Sequence, residues 1–340
     1  MLDKLLQLIT QNGQSTGIKP SLDGILEKMD RHLDNFDTLV QPAPESKPRT
    51  PFDSDVPMNE MSMMKFTFKQ RLKILGRGIP LFYNMQRSTK LYDGKFRPRK
   101  TQASSAFIQA LEARAYRLGV KDIRYVKVPP NAIFKGKGIP HPYAIVFTVE
   151  MQKEPIETSP SFESQFEVIR GYKNLAAIGN HLAFFMRRKG YAAYPGTALG
   201  GVTDYVHLAE LAGLGAIGYH GLLISPGEGA RIRINTIYTN IDNLPIQDVN
   251  EHLWIRDFCA MCKKCVRSCP VEAIYPQPQA RGDGGMQCID HASCREYFSR
   301  NYGCAVCLAI CPFSHTGYDK IKERFKGNPS APHFEIPIRT

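Results

Sequence analysis

Residues 259–270 read CAMCKKCVRSCP, and residues 304–312 read CAVCLAICP. The first run holds Cys259, Cys262, Cys265 and Cys269 in a C-x-x-C-x-x-C-x-x-x-C-P pattern. The second repeats its latter part with Cys304, Cys307 and Cys311, and Cys294 lies upstream. A [4Fe–4S] cube takes four thiolates at tetrahedral corners. Two-residue gaps let one tight turn offer three of them, while the fourth cysteine of the run reaches the other cube. That assigns Cys259, Cys262, Cys265 and Cys311 to one cluster, and Cys269, Cys294, Cys304 and Cys307 to a second. The proline after each crossing cysteine steers the chain away and removes a competing backbone donor. Zinc also takes paired C-x-x-C sequences, but seldom two successive runs of this form. Cys288 is the alternative to Cys294 as the upstream ligand.

All nine cysteines lie after residue 258 in a chain of 340. A disulfide framework serves short secreted chains, so this clustering predicts a reduced compartment. No apolar run approaches the roughly 18 residues that span a bilayer. The opening MLDKLLQLITQNGQ lacks the charged start, apolar core and cleavage site of a secretory signal. A cytoplasmic protein is the expectation.

A two-cluster module needs far less chain than this, so the preceding residues must hold what the electron wire serves. Four segments are expected: an N-terminal extension over 1–100, an α/β domain over 101–250, a ferredoxin-like module over 251–320 and a tail over 321–340. Short helical patterns fall at Leu5–Ile9 and Leu22–Leu33, and QPAPESKPRTPFDSD reads as a surface linker. Residues 65–100 hold eleven Lys and Arg against Asp93 alone, +10 of the formal +12. Beyond them, SSAFIQALEARAYRLGV has helical spacing, and KDIRYVKV and YAIVFTVEM read as strands. A long helix is expected from Phe162 to Lys189, a shorter one over Asp204–Leu211, and strands at YAAYPG, GLLIS and RIRINTIYT. Helices packed on a sheet follow from that alternation.

Gly213, Gly215 and Gly218 match the G-x-G-x-x-G of dinucleotide sites. That motif needs a strand before it, a helix after it and an acid about twenty residues on. Here helical DYVHLAELA precedes, strand-like GLLIS follows, and no acid occurs where one is needed. The glycines instead let backbone approach a neighbouring strand or a flat ligand.

The segment AELAGLGAIGYHGLLISPGEGARIRINTIYTNI, with CREYFSRNYGCAVCLAICPF, resembles the corrinoid- and iron–sulfur-dependent reductases. These include reductive dehalogenases and epoxyqueuosine reductases. The resemblance implies a nitroreductase-like α/β domain holding cobalamin, cradled by Ala212, Gly213, Gly215, Gly218, Gly221, Leu222, Leu223 and Ser225. It also implies no histidine on cobalt, and the chain has no D-x-H-x-x-G stretch. By the same resemblance Tyr172, in the long helix, and Arg231 (or Arg233), near the later strand, form a proton-delivery pair. Electrons from the clusters would reduce cobalt to Co(I) for cleavage of a carbon–heteroatom bond in a small-molecule substrate. His207 and His220, which flank the glycines, read as structural.

The chain departs from both branches. It lacks the D-x-x-P-V-x-E segment of epoxyqueuosine reductases, and Ile217 and Gly218 stand where their tryptophan would follow. It also lacks the twin-arginine signal of respiratory dehalogenases. Two other readings stay open: a two-cluster electron-transfer protein without cobalamin, and a queuosine-type enzyme whose basic window grips tRNA. For that window an acidic donor such as ferredoxin or flavodoxin, or a peripheral membrane contact, is the expected partner. RNA is less favoured, because no aromatic stacking pattern is present.

Overall fold

The computed structural model describes residues 21–325; Leu5–Ile9 and the end of the tail lie outside them. Alternation and β-branching make β1 (Asp122–Lys127) and β2 (Tyr143–Glu150) antiparallel partners. Six consecutive residues of β2 are buried, as expected of a strand covered on both faces. Its other neighbour is β6 (Ile232–Thr239), in register from Tyr143 opposite Thr239 to Glu150 opposite Ile232. With the short β3 (Tyr194–Pro195) the sheet order is β1–β2–β6–β3, antiparallel throughout.

The period of two sorts the side chains. Ile145, Phe147 and Val149 face α3 (Ser105–Arg117) and α5 (Phe162–Arg188), while Ala144 and Val146 face α6 (Tyr205–Leu211). Polar caps start these helices. Ser104 accepts from Phe107 N, Ser161 and Ser164 form a reciprocal box, and Asp204 accepts from His207 N. The short α4 (Lys153–Glu157) leads from β2 into α5.

The described residues before the sheet, from Leu22 to Lys90, pack onto this body. Leu26 and Met29 of α1 (Leu22–Asp30) share the sheet's core with Leu81 and Met85 of α2 (Phe68–Lys90). The basic window is mostly this 23-residue helix, opened by a Thr67–Gln70 capping box. Its buried positions Ile74, Gly78, Leu81, Met85 and Ser88 alternate steps of four and three. That is the spacing of a helix laid along another helix. Gly76, Gly78 and Pro80 disguise it as a broken segment. Ser88 donates to Asn180 Oδ1 of α5 at 2.9 Å, and Asn180 donates to Asn84 O at 2.8 Å. The Pro-rich stretch is likewise pinned: Arg49 pairs with Asp30 at 2.9 Å, and Lys47 with Asp204 at 2.5 Å.

After the glycine segment come β4 (Ala216–Ile217) and β5 (Leu223–Ile224), a two-stranded hairpin. The cysteine-bearing region contains α7 (Trp254–Cys262), α8 (Lys264–Arg267), the hairpin β7 (Ile274–Ala280) and β8 (Met286–Ile289), and α9 (His291–Arg300). It ends with α10 (Val306–Ala309), α11 (Pro312–His315) and α12 (Tyr318–Phe325). Its apolar core is shared: Ile255, Leu308 and Phe313 pack with Ala216, Tyr219 and Ile224 of the β4–β5 hairpin. Trp254 closes one end, donating from Nε1 to the Tyr318 hydroxyl at 3.1 Å.

Candidate iron–sulfur centre

Between α7 and α8, Lys263 adopts φ +46°. This left-handed break, uncommon for a residue with a Cβ, turns the chain between Cys262 and Cys265. The two then meet Cys259 and Cys311 around one cavity. His220, Ile224, Phe258 and Phe313 also line it, as do Lys263 and Lys264. Tyr302 and Gly303, at φ +51° and +64°, make the comparable turn before Cys304.

Burial pushes Cys259 well above the usual thiol range, Cys265 up to about 11 and Cys311 up to about 12, and the neighbouring thiols add to each shift. The second group shows the same mutual influence. Burial, then Cys304 and Cys269, raise Cys294 to about 11; burial, then Cys294, Cys304, Cys265 and Cys269, raise Cys307 strongly. Cys265 thus adjoins Cys307, so the two quartets are neighbours.

Eight crowded thiols would be costly as bare thiolates, and a metal centre reverses that cost by deprotonating its ligands outright. A zinc ion needs its ligands within about 2.0–2.3 Å of one point. Among the described residues no three His, Cys, Asp or Glu are grouped so tightly. A four-iron cube takes each thiolate on its own iron and so spreads them wider than a single ion does. Backbone donors are already in place: Tyr219 N–H on Cys259, Phe313 and Ser314 N–H on Cys311, and Ala273 N–H on Cys269 at 3.3 Å.

Cys288 stands apart from both quartets. Burial raises it to about 12, and its charged neighbours are Arg281, Glu210 and Arg256, not another cysteine.

Gly213 and Gly215 lie between α6 and β4, and Gly218 between β4 and β5, so a helix precedes the glycines and strands follow, the reverse of a dinucleotide site. Gly215 has φ +154°, and a Cβ there would fall on the carbonyl oxygen of Ile224. A Cβ on Gly218 would come within 2.7 Å of Ile224 Cδ1, and one on Gly221 within 3.3 Å of Cys288 Cβ. Ala212, Leu214, Ala216, Leu223, Ile224 and Ser225 are buried in protein, and Leu222 packs against the cluster-side core. The room these glycines make is taken up by the chain itself.

Three residues that pattern reading missed lock this segment to α7. Glu210 accepts from Ile217 N at 2.8 Å and pairs with Arg256 at 2.6 Å. Asn250 Nδ2 donates to Glu210 O and Gly215 O at 2.7 and 2.8 Å. An acid within the apolar AELAGLG was the available signal; its partner, from a distant helix, was not. Glu210→Ala strands the Arg256 guanidinium and is expected to cost roughly 3–5 kcal/mol in anaerobic denaturant melts. The double replacement Glu210→Met with Arg256→Met should recover most of it. A loss below about 1 kcal/mol for the single variant would show the pair to be dispensable.

Tyr172 is half-buried where the sheet core meets the cluster-side core. Its cationic neighbour is Arg233, whose guanidinium lies over the ring at 4.7 Å from its centroid. Arg231 is held elsewhere, bonded to Glu150 Oε1 at 2.9 Å and Met151 O at 2.7 Å. Strand β6 begins only at Ile232, so Arg233 stands within the strand and Arg231 before it.

A fold of helices on an antiparallel sheet, joined to a cysteine-rich module, defines an α/β iron–sulfur protein. The "4Fe-4S binding domain" family matches residues 252–275. Over 213 residues the chain is 33% identical to the tetrachloroethene reductive dehalogenase of Dehalobacter restrictus, covering 58% of this chain and 37% of that protein. It is 32% identical over 125 residues to the epoxyqueuosine reductase of Francisella cf. novicida, covering 32% and 31%. A structure titled "Reductive dehalogenase structure suggests a mechanism for B12-dependent dehalogenation" superposes with TM-score 0.64 at 21% identity. It covers 88% of this chain and 49% of that one. The catabolic reductive dehalogenase NpRdhA gives 0.59 at 21% identity, covering 88% and 43%. Over a little more than half of its length the chain is similar to reductive dehalogenases and, over about a third, to epoxyqueuosine reductases. It spans well under half the length of these curated relatives. Among the described residues no helix is long and apolar enough to cross a membrane.

Proposed function

We propose that this chain is a reductase of the dehalogenase-like kind, in which two [4Fe–4S] clusters feed single electrons to a nitroreductase-like α/β domain. The observation that carries this reading is the pair of adjoining thiol quartets, the first largely buried and the second half-buried, with the first bordering the β4–β5 hairpin of that domain. Cys259, Cys262, Cys265 and Cys311 would hold one cluster, and Cys269, Cys294, Cys304 and Cys307 the other. When bound, the clusters supply one-electron transfer. The chain excludes water with Phe258 and Phe313 and directs backbone N–H groups at the sulfurs.

The corrinoid of the resemblance does not fit Ala212–Ser225 as folded, because those residues fill their own space. No step is therefore derived through it. Tyr172 remains the candidate proton donor, with Arg233 as the cation beside it. Lys65, Lys69 and Lys73 are exposed beside Phe68 and Leu72, and such a face suits an acidic donor protein or an anionic membrane.

Anaerobic reconstitution with iron, sulfide and cobalamin, followed by metal counting, tests the reading. About eight iron and eight acid-labile sulfide per chain are expected. Cobalt near stoichiometric would then identify a corrinoid reductase. Full iron without cobalt would identify an electron-transfer protein. About four iron, or stoichiometric zinc, would sink the two-cluster assignment.

A further inference from the structure

The β4–β5 turn carries Tyr219 and His220 against the first quartet, and one nitrogen of that histidine has no partner among the described residues. His220 is 4% exposed. Its Nδ1 accepts a hydrogen bond from Leu222 N at 3.1 Å. With that lone pair engaged, the neutral ring carries its proton on Nε2. Nε2 is buried and has no partner among the described residues. A buried donor left unpaired costs about 1–3 kcal/mol, so such an atom calls for an acceptor. His220 borders the cavity enclosed by Cys259, Cys262, Cys265 and Cys311, where no side-chain oxygen takes its proton.

Granting the two-cluster reading on which this rests, we propose that His220 donates from Nε2 to a sulfur of the first cluster and sets its reduction potential. It is a positioning and tuning residue, not a ligand. Hydrogen bonds to the sulfurs are among the factors that set iron–sulfur potentials. A donor favours the reduced cluster, which carries one more negative charge, over the oxidised one. The backbone N–H groups of Tyr219, Phe313 and Ser314 already serve the cysteine sulfurs of this quartet. His220 would be the side-chain member of that set.

The test is an anaerobic redox titration of the reconstituted full chain, following both clusters by electron paramagnetic resonance. The first cluster is identified as the one whose signal changes in Cys262→Ser. His220→Phe removes the donor and keeps a flat ring; His220→Gln keeps an amide donor. Relative to wild type, His220→Phe should shift the reduced-to-oxidised ratio of the first cluster about tenfold toward oxidised, about 59 mV for one electron. The second cluster should stay put, and His220→Gln should restore part of the shift. Equal potentials in all three proteins at full iron would overturn the proposal and leave His220 a packing residue. Should His220→Phe fail to assemble, wild-type protein labelled with ¹⁵N-histidine answers alone. Pulsed resonance on the reduced first cluster should show an imidazole nitrogen coupling, and its absence would overturn the proposal. Wild-type iron near four would instead indict the two-cluster reading, whatever His220 does.

Discussion

Gly215→Leu is expected to unfold the β4–β5 hairpin and, with it, one wall of the first cluster's cavity. The added Cβ would sit on the backbone of Ile224, which cannot yield without breaking its pairing with Ala216. The φ of +154° adds strain for any residue with a side chain. Backbone strain of about 1–3 kcal/mol and overpacking of a similar size sum to roughly 3–5 kcal/mol. That is a large share of the 5–15 kcal/mol typical of a folded protein. Since Ile224 and His220 line the cavity, iron should be lost as the melting temperature falls. Gly227→Ala is the control, because Gly227 has φ +87° but a Cβ there would meet nothing within 4 Å; strain alone should cost it about 1 kcal/mol. Matching thermal melts for the two variants would refute the close-approach account. A glycine that only made room for a corrin would instead lose that ligand and keep both clusters.

Cys294→Ser should take the iron content from about eight to about four per chain, whereas Cys288→Ser should leave it unchanged. Cys294 is half-buried beside Cys304 and Cys269. Cys288 faces Arg281, Glu210 and Arg256, with Gly221 N–H on its sulfur. Iron and sulfide quantification, with resonance spectra of the reduced proteins, decides the matter. Loss of a cluster in Cys288→Ser would reverse the choice of the upstream ligand.

Spacing alone carried the cysteine reading, because two-residue gaps define a local turn and need no distant information. The helices over Ser105–Arg117 and Phe162–Arg188 and the strands of the sheet were legible for the same reason. Their caps and periodicities are written within a few residues of where they act. The helix inside the basic window was harder to see. Its four-three burial rhythm is present in the sequence, but Gly76, Gly78, Pro80 and six cations argue locally against it. Arg77 lies over the Phe166 ring at 3.4 Å and Arg87 over Phe184 at 4.6 Å, so part of that charge is spent packing on α5.

What the sequence by itself determined was therefore local: which cysteines can share a turn, which segments alternate, and which residues cap a helix. Only the tertiary structure decided which of two arginines meets Tyr172, since that depends on where β6 begins and what Glu150 already holds. Only it showed that the glycines of 213–221 admit neighbouring protein atoms, because a Cβ clash belongs to the space across the hairpin and not to the spacing along the chain. And only it brought His220 to the cavity of cysteines far along the chain, leaving one imidazole nitrogen buried without an acceptor among the described residues.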